Sequence, residues 1–394
     1  MKARERILKT LDHEEPDKVP SFEVSIDNLS ICNHFGEKYV FEGIVDTYAK
    51  TYDLCGSDIK RLTETILVAT GVKSAIKNIV NRELNLYKKI GIDLAAIPVV
   101  GWIPHPRECG KDYLIDDYGR IFDLKKHEDG MDLAYYRDGA FKTFEDYESA
   151  EPINPDDPRR ERYFKMIKVL EKKSDGKIFA IPAIFGLMET TWQAFGFVNF
   201  SKLLRKRQQI KKILDDRGKL ALEFIKRIND WGDAGAVFIF DDWGYKSGLL
   251  MNASNFREYI LPWYKKICDA AHKAGIKVIL HSCGDVCELV PDIISAGIDT
   301  LHPIEPTTAN PEFDIFKLNE KYGDKLSFIG NVSPQDLTDK NEEFIRAYTK
   351  KLLKEVAPNG GYILSSGHSI PPSVKLENFL AMHDTLKKYG KYGN

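Results

Sequence analysis

Lys277-Val-Ile-Leu-His281-Ser-Cys283-Gly284 is an apolar run that stops in a histidine and a cysteine two residues apart. Side chains alternate along a strand, so a strand here carries His281 and Cys283 on one face of its end. Imidazole and thiolate are ligands that zinc prefers, and two from one strand end leave room for a third ligand and an open position. The pair by itself is a weak signal. Its weight comes from where the strand falls in the chain.

Seven further runs read the same way, short and apolar without polar alternation: Val19–Ile26, Asp93–Val100, Phe179–Phe185, Ala236–Asp242, Thr300–Pro306, Leu326–Val332 and Gly361–His368. Such runs are expected of parallel strands buried on both faces. Helix-period stretches separate them, among them Asp215–Trp231, Asn255–Ala274, Cys287–Ala296, Glu342–Val356 and Leu376–Tyr389. Gly275, Gly297 and Gly323 stand where helix C-caps are needed, and Ser333-Pro334 reads as an N-cap with proline at the first helical position. Eight β/α units predict an α/β fold, a TIM (β/α)8 barrel, in one domain over residues 1–394. Residues 30–92 and 101–175 are long for single crossovers and predict insertions: extra N-terminal helices, and a rim hairpin turning at Asp116-Asp-Tyr-Gly-Arg120. Glu145–Arg162, rich in charge and proline, reads as a solvated connection. The insertions are candidates for a lid or for the surface of a homodimer.

Composition excludes several classes. A net charge of −2 gives no basic excess for nucleic acid, and no apolar run approaches the length of a membrane span. The N-terminus, Met1-Lys-Ala-Arg-Glu-Arg-Ile-Leu-Lys9, reads as an amphipathic helix rather than a signal peptide. Six scattered cysteines suit a reducing compartment, so a cytoplasmic globular protein is expected.

In a TIM barrel the chemistry sits at the C-terminal strand ends. Polar residues collect at those ends here: Glu23, Asp241-Asp242, His281 with Cys283, His302 with Glu305, Asn331, and Gly367-His368-Ser369. Any one of them has a ready structural role; the set points to a pocket.

In order along the chain, Arg4-Glu-Arg-Ile-Leu-Lys9, Asp17-Lys-Val-Pro20, Asp116-Asp-Tyr-Gly-Arg120, Asp241-Asp-Trp-Gly244, His281-Ser-Cys-Gly284, Phe328-Ile-Gly-Asn331, Gly367-His-Ser-Ile-Pro-Pro372 and Leu376-Glu-Asn378 resemble the uroporphyrinogen decarboxylase superfamily over nearly the whole length. The resemblance implies a TIM barrel. Authentic decarboxylases of that name carry an arginine-rich segment where this chain has Ser21-Phe-Glu-Val-Ser-Ile-Asp-Asn28, whose Glu23 and Asp27 repel a polycarboxylate. The strand-five motif is instead similar to the zinc- and cobamide-dependent methyltransferase branch, in which H-x-C and a strand-eight cysteine hold zinc. This chain departs at strand eight, with His368 for the cysteine. The implied metal ligands are His281, Cys283 and His368, with Glu305 as alternative or fourth.

The resemblance further implies methyl transfer between a small O-methyl (aromatic among them) or thiol substrate and a corrinoid, cobalamin, held on a separate corrinoid-binding protein. Zinc then either deprotonates a thiol or polarises an ether oxygen, and fewer thiolates favour the second. Asp241, Asp242 and Glu23 are the expected catalytic groups, with Asp241 and Asp242 also suited to contact substrate or a ligating histidine. Asn331, His302 and Trp243 are the expected substrate contacts, and Trp102 and Trp192 further wall candidates. Asp269-Ala-Ala-His-Lys-Ala-Gly275 has one residue too many for a corrinoid motif and reads as a helix C-cap. Lys202–Lys212 reads as a solvated helix face or a docking surface, Cys287 as a small buried residue, and Cys109 lacks a partner pattern. Two alternatives stay open: a zinc-free decarboxylase of a small acid using His368, Asp93 and Asp241, and a non-catalytic binding subunit.

Overall fold

The computed structural model of the chain describes residues 1–58, 72–100, 106–126 and 131–393. After the helices Ala3–Leu11, Leu29–His34, Ile44–Cys55 and Val72–Ile90 come the strands β1 (Leu94–Pro98), β2 (Pro106–Cys109), β3 (Tyr113–Asp116), β4 (Arg120–Lys126) and β5 (Asp132–Gly139). They are followed by β6 (Phe179–Phe185), β7 (Ala236–Phe240), β8 (Gly244–Tyr245), β9 (Gly248–Leu249), β10 (Lys277–His281), β11 (Thr300–His302), β12 (Ser327–Val332) and β13 (Tyr362–Ser366). A seven-stranded parallel sheet runs in the order β1-β6-β7-β10-β11-β12-β13, so seven of the eight expected strands form and pair with their sequence neighbours. Helices cover its outer face, as buried apolar strands require.

The expected strand Val19–Ile26 is the exception. It makes only isolated parallel bridges, Ser21 to Leu364, Phe22 to Leu94 and Ile26 to Ile370. Pro20 has no N–H to give a ladder, and the Ser21 N–H donates to the Asp93 carboxylate at 3.1 Å instead. The segment nevertheless joins both outer strands. Phe22 N donates to Leu364 O on β13 at 2.9 Å, and Leu94 N on β1 donates to Ser21 O at 3.1 Å. A sheet whose two outer strands reach one segment must curl around its inner face, which is filled by Phe22, Ile181, Phe238, Ile279, Ile329 and Ile363.

The insertion after β1 is larger than a hairpin. β2 to β5 form a four-stranded antiparallel sheet that turns at Asp116–Arg120 as expected. Gly139 at the end of this sheet packs on the backbone of Ala194, where a Cβ would stand 2.3 Å from the carbonyl, so the sheet leans on the helix Leu187–Phe195. Glu145–Arg162 is not a bare connection: it contributes to the helices Phe144–Ser149 and Pro158–Lys172, started by Thr143 and Asp157 caps. Gly275 and Gly297 cap helices at positive φ, whereas Gly323 stays right-handed at φ −63°. Ser333 caps the helix Pro334–Asp339 through Gln335 N. Among the described residues no helix is long and apolar enough to cross a membrane.

At the N-terminal end of the sheet, Asp93 is buried and pairs with Arg6 Nη1 at 2.6 Å and Lys18 Nζ at 3.0 Å. Arg6 also grips Asp17 at 2.7 Å through Nε. This network pins the first helix across the bottom of the sheet, remote from the strand ends where chemistry is expected. Arg6→Met should therefore cost about 3 kcal/mol in chemical denaturation, the lower end for breaking a buried pair, because Lys18 still faces Asp93. The Asp17 carboxyl is held down at about 2 from 3.8, chiefly by its Arg6 hydrogen bond. A depressed carboxyl stabilises the fold above its unfolded value, and that stabilisation disappears as pH falls from 3.8 through about 2. Acid-titrated stability of Arg6→Met should lack this component of the decline.

Candidate metal centre

β7 and β10 pair with Phe240 opposite His281, and the ladder continues one step as Asp241 N donates to His281 O at 2.9 Å. Asp242 and Cys283 thus emerge side by side just past the paired ends. Cys283 N donates to Asp242 Oδ1 at 2.9 Å. His281 Nε2 lies 3.4 Å from Cys283 Sγ and 3.5 Å from Asp242 Oδ1. The ligand atoms of Asp242, His281 and Cys283 all fall within 4.8 Å of one another. Zinc bonds of about 2.0–2.3 Å place neighbouring ligands of a tetrahedron roughly 3.3–3.8 Å apart. The two contacts to His281 have that spacing already, so the donor set fits zinc.

The two residues that follow β7, Asp241 and Asp242, diverge in role because an extended chain sends neighbours to opposite faces. Asp241 is fully buried and turned outward. It accepts from Leu187 N at 3.1 Å, Glu189 N at 2.7 Å, Trp243 Nε1 at 2.8 Å and Tyr264 Oη at 2.7 Å. Burial holds its carboxyl up at about 6 even so. Gly186 permits this junction, since a Cβ there would stand 2.3 Å from Asp241 Cβ. Gly284, at φ +76°, likewise admits the backbone of Tyr245, which a Cβ there would meet at 2.3 Å, and seats the β8–β9 hairpin against it.

Burial is the main influence on the site's charges. It lowers His281 to about 4, so the imidazole is neutral and its lone pair available. Burial, then the charges of Asp242 and Glu305, push the Cys283 thiol well above its usual range. Glu305 accepts from Gly284 N at 3.0 Å and Thr307 Oγ1 at 2.8 Å, placing it beside the trio without joining it. His368 is exposed, its ring centroid 6.3 Å from that of His281, and its Nδ1 is 2.9 Å from Ser369 Oγ.

Other expected site residues turn elsewhere. Glu23 is buried against Ser366, whose N and Oγ donate to it. Asn331 donates to Ile304 O at 3.0 Å and accepts from Tyr348 Oη at 2.9 Å, so it faces the outer helices rather than the mouth. Trp243 packs on Phe256 and Tyr264, also outward. Trp192 packs on Tyr136 and Phe197 under the antiparallel sheet, and Trp102 lies outside the described residues. His302 is fully buried with Nδ1 2.7 Å from His281 Nδ1. Asp93 lies at the opposite end of the sheet.

Sequence reading missed Glu189 and Arg120. Arg120 Nη1 lies 3.5 Å from Glu189 Oε1, and its guanidinium covers the Phe185 ring at 3.9 Å. Burial and then the charge of Asp242 push Glu189 up to about 8. The strand-end rule that singled out the other residues also reaches Gly186-Leu-Met-Glu189, which follows β6 directly.

A family model described as uroporphyrinogen decarboxylase (URO-D) matches residues 126–389. The chain is similar to uroporphyrinogen decarboxylase of Coxiella burnetii, at 28% identity over 176 residues, 43% of this chain and 46% of that one. It thus matches under half of that relative's length. It is also similar to methylcobamide:CoM methyltransferase of Methanosarcina mazei, at 23% identity over 253 residues, 63% of this chain and 69% of that one. Among solved structures, a methyltransferase from Methanosarcina mazei aligns with a TM-score of 0.62 and 18% identity over 99% of both chains, a likeness of fold.

The contrast between the neighbouring aspartates is measurable. Asp241→Asn puts an amide among four donors and should lose about 2–3 kcal/mol in chemical denaturation. In metal-free protein, Asp242→Asn keeps an acceptor for Cys283 N and should stay within about 0.5 kcal/mol of the parent.

Proposed function

The chain belongs to the uroporphyrinogen decarboxylase family, and from that premise we propose that it is a corrinoid-dependent methyltransferase. It moves a methyl group between a small O-methyl or thiol substrate and a corrinoid carried by a separate protein. The observation that carries this reading is the spacing of His281 Nε2 to Cys283 Sγ and Asp242 Oδ1, at 3.4 and 3.5 Å. The likeness to the methylcobamide:CoM methyltransferase supports it.

Asp242, His281 and Cys283 would hold the zinc, Asp242 in the ligand position expected of His368 or Glu305. When bound, the ion supplies a Lewis acid at the substrate heteroatom. Asp242 in place of a second thiolate would give the ion a harder, less electron-donating ligand, which favours ether oxygens over thiols. Glu305, anchored on Gly284 N, stands as a fixed negative neighbour. Glu189, pushed up to about 8, holds a proton at neutral pH and can pass it to a departing oxygen. Arg120 limits where that carboxyl lies. His368, exposed at the strand-eight end, is left to face substrate. Substrate is neutral or cationic, because the charges of Asp242 and Glu305 would repel a polycarboxylate.

The decarboxylase alternative loses its assembly. Asp93 is bound to Arg6 and Lys18 at the other end of the sheet, and Asp241 is engaged by four donors. Only His368 of its three groups is left at the mouth.

Anaerobically purified protein should carry one zinc per chain by elemental analysis, and Asp242→Ala, His281→Ala and Cys283→Ala should each lose it. Chelation should abolish methyl transfer to a corrinoid carrier, and zinc should restore it. Full methyl transfer by zinc-free protein would sink the reading. Glu189→Gln should keep its zinc while turnover falls by about 10²–10⁴.

A further inference from the structure

His302 stands directly opposite His281 in the β10–β11 ladder, and the Nδ1 atoms of the two rings are 2.7 Å apart. Nitrogens this close share one hydrogen, so one ring donates and the other accepts. If His302 donates, His281 must carry its own hydrogen on Nε2, pointing at Asp242 and Cys283 and blocking the lone pair a cation needs. If His281 donates, its Nε2 is bare toward both. One distance favours the second arrangement. Nε2 stands 3.5 Å from Asp242 Oδ1, beyond the usual range for an N–H donor. Cys283 Sγ, at 3.4 Å, can donate to a bare Nε2 or accept from a protonated one, so it agrees with either arrangement.

Packing alone does not call for an imidazole at position 302. The ring lies fully buried against Phe22 and Phe238, with centroids 5.3 and 5.7 Å away, and its Nε2 has no partner among the described residues. An apolar ring would fill the same space without burying an unpartnered nitrogen. What the histidine adds is the Nδ1 acceptor.

We propose that His302 is a positioning residue: its Nδ1 accepts the Nδ1–H of His281 and so keeps the His281 Nε2 lone pair directed at Asp242 and Cys283. The inference rests on reading that trio as a metal centre. A hydrogen bond to the far nitrogen of a ligating histidine fixes its tautomer and orientation, and losing one weakens metal binding by about 10–100-fold.

The test compares wild type, His302→Phe and His302→Asn, each checked for folding by thermal melting. Zinc affinity is read by competition with a chromophoric chelator, and the His281 tautomer by nitrogen NMR of metal-free, histidine-labelled protein. The asparagine Oδ1 stands where Nδ1 does and can accept the same hydrogen. Wild type should show His281 as the Nδ1–H tautomer. His302→Phe should lose that form and bind zinc about 10–100-fold more weakly, while His302→Asn should keep it and stay within about threefold. Unchanged zinc affinity in His302→Phe overturns the proposal. So does equal weakening in a folded His302→Asn, which would assign the effect to ring packing. Wild type that takes up no zinc fails the metal reading itself. The tautomer then decides separately, and an Nε2–H form of His281 in wild type overturns the role given to His302.

Discussion

The carboxylate of Asp241 gathers two backbone N–H groups from the start of the helix Leu187–Phe195, the Trp243 indole and the Tyr264 hydroxyl into one buried junction. Each of those donors would otherwise be unpaired in the interior, so the junction is strongly specified. It fastens the end of β7 to the helix that follows β6 and to the helix Leu261–Lys273 outside it. The candidate site depends on it from both directions. Asp242 is the next residue and, by alternation, turns to the opposite face. Glu189 comes from the same helix start that Asp241 caps.

The neighbouring strand completes the arrangement with little freedom. His281 is the last paired residue of β10, so its ring direction follows from sheet register rather than from a loop. Cys283 has left the ladder, but its N–H is taken by Asp242 and the next N–H by Glu305. Two carboxylates therefore shape the turn that presents the thiol. Their charge, with burial, works against a thiolate when no cation is present, while a cation would draw all three donors together. The charge of these groups, as well as their spacing, therefore supports the proposed metal centre.

The fold was largely legible because parallel strands buried on both faces leave continuous apolar runs, and seven of these became strands of one sheet. Val19–Ile26 carries a similar apolar pattern, yet Pro20 and the diversion of Ser21 N to Asp93 reduce it to bridges. The antiparallel sheet was legible only at its tight turn, Asp116–Arg120. Its other strands are amphipathic and gain their place by packing on the helix Leu187–Phe195, which local pattern does not record.

For the candidate site, the sequence by itself determined that His281 and Cys283 share a strand end and that Asp241 and Asp242 close the strand beside it. Local periodicity governs which side chains alternate, and that is enough for both. Only the tertiary structure decided that Asp242 rather than Asp241 meets the histidine and cysteine, that His302 backs His281, that Arg120 comes to Glu189, and that Asn331, Trp243 and Asp93 turn elsewhere. Those outcomes depend on register between strands and on which face each helix covers. Contacts between residues tens to hundreds of positions apart fix both, and no local pattern of residue types encodes them.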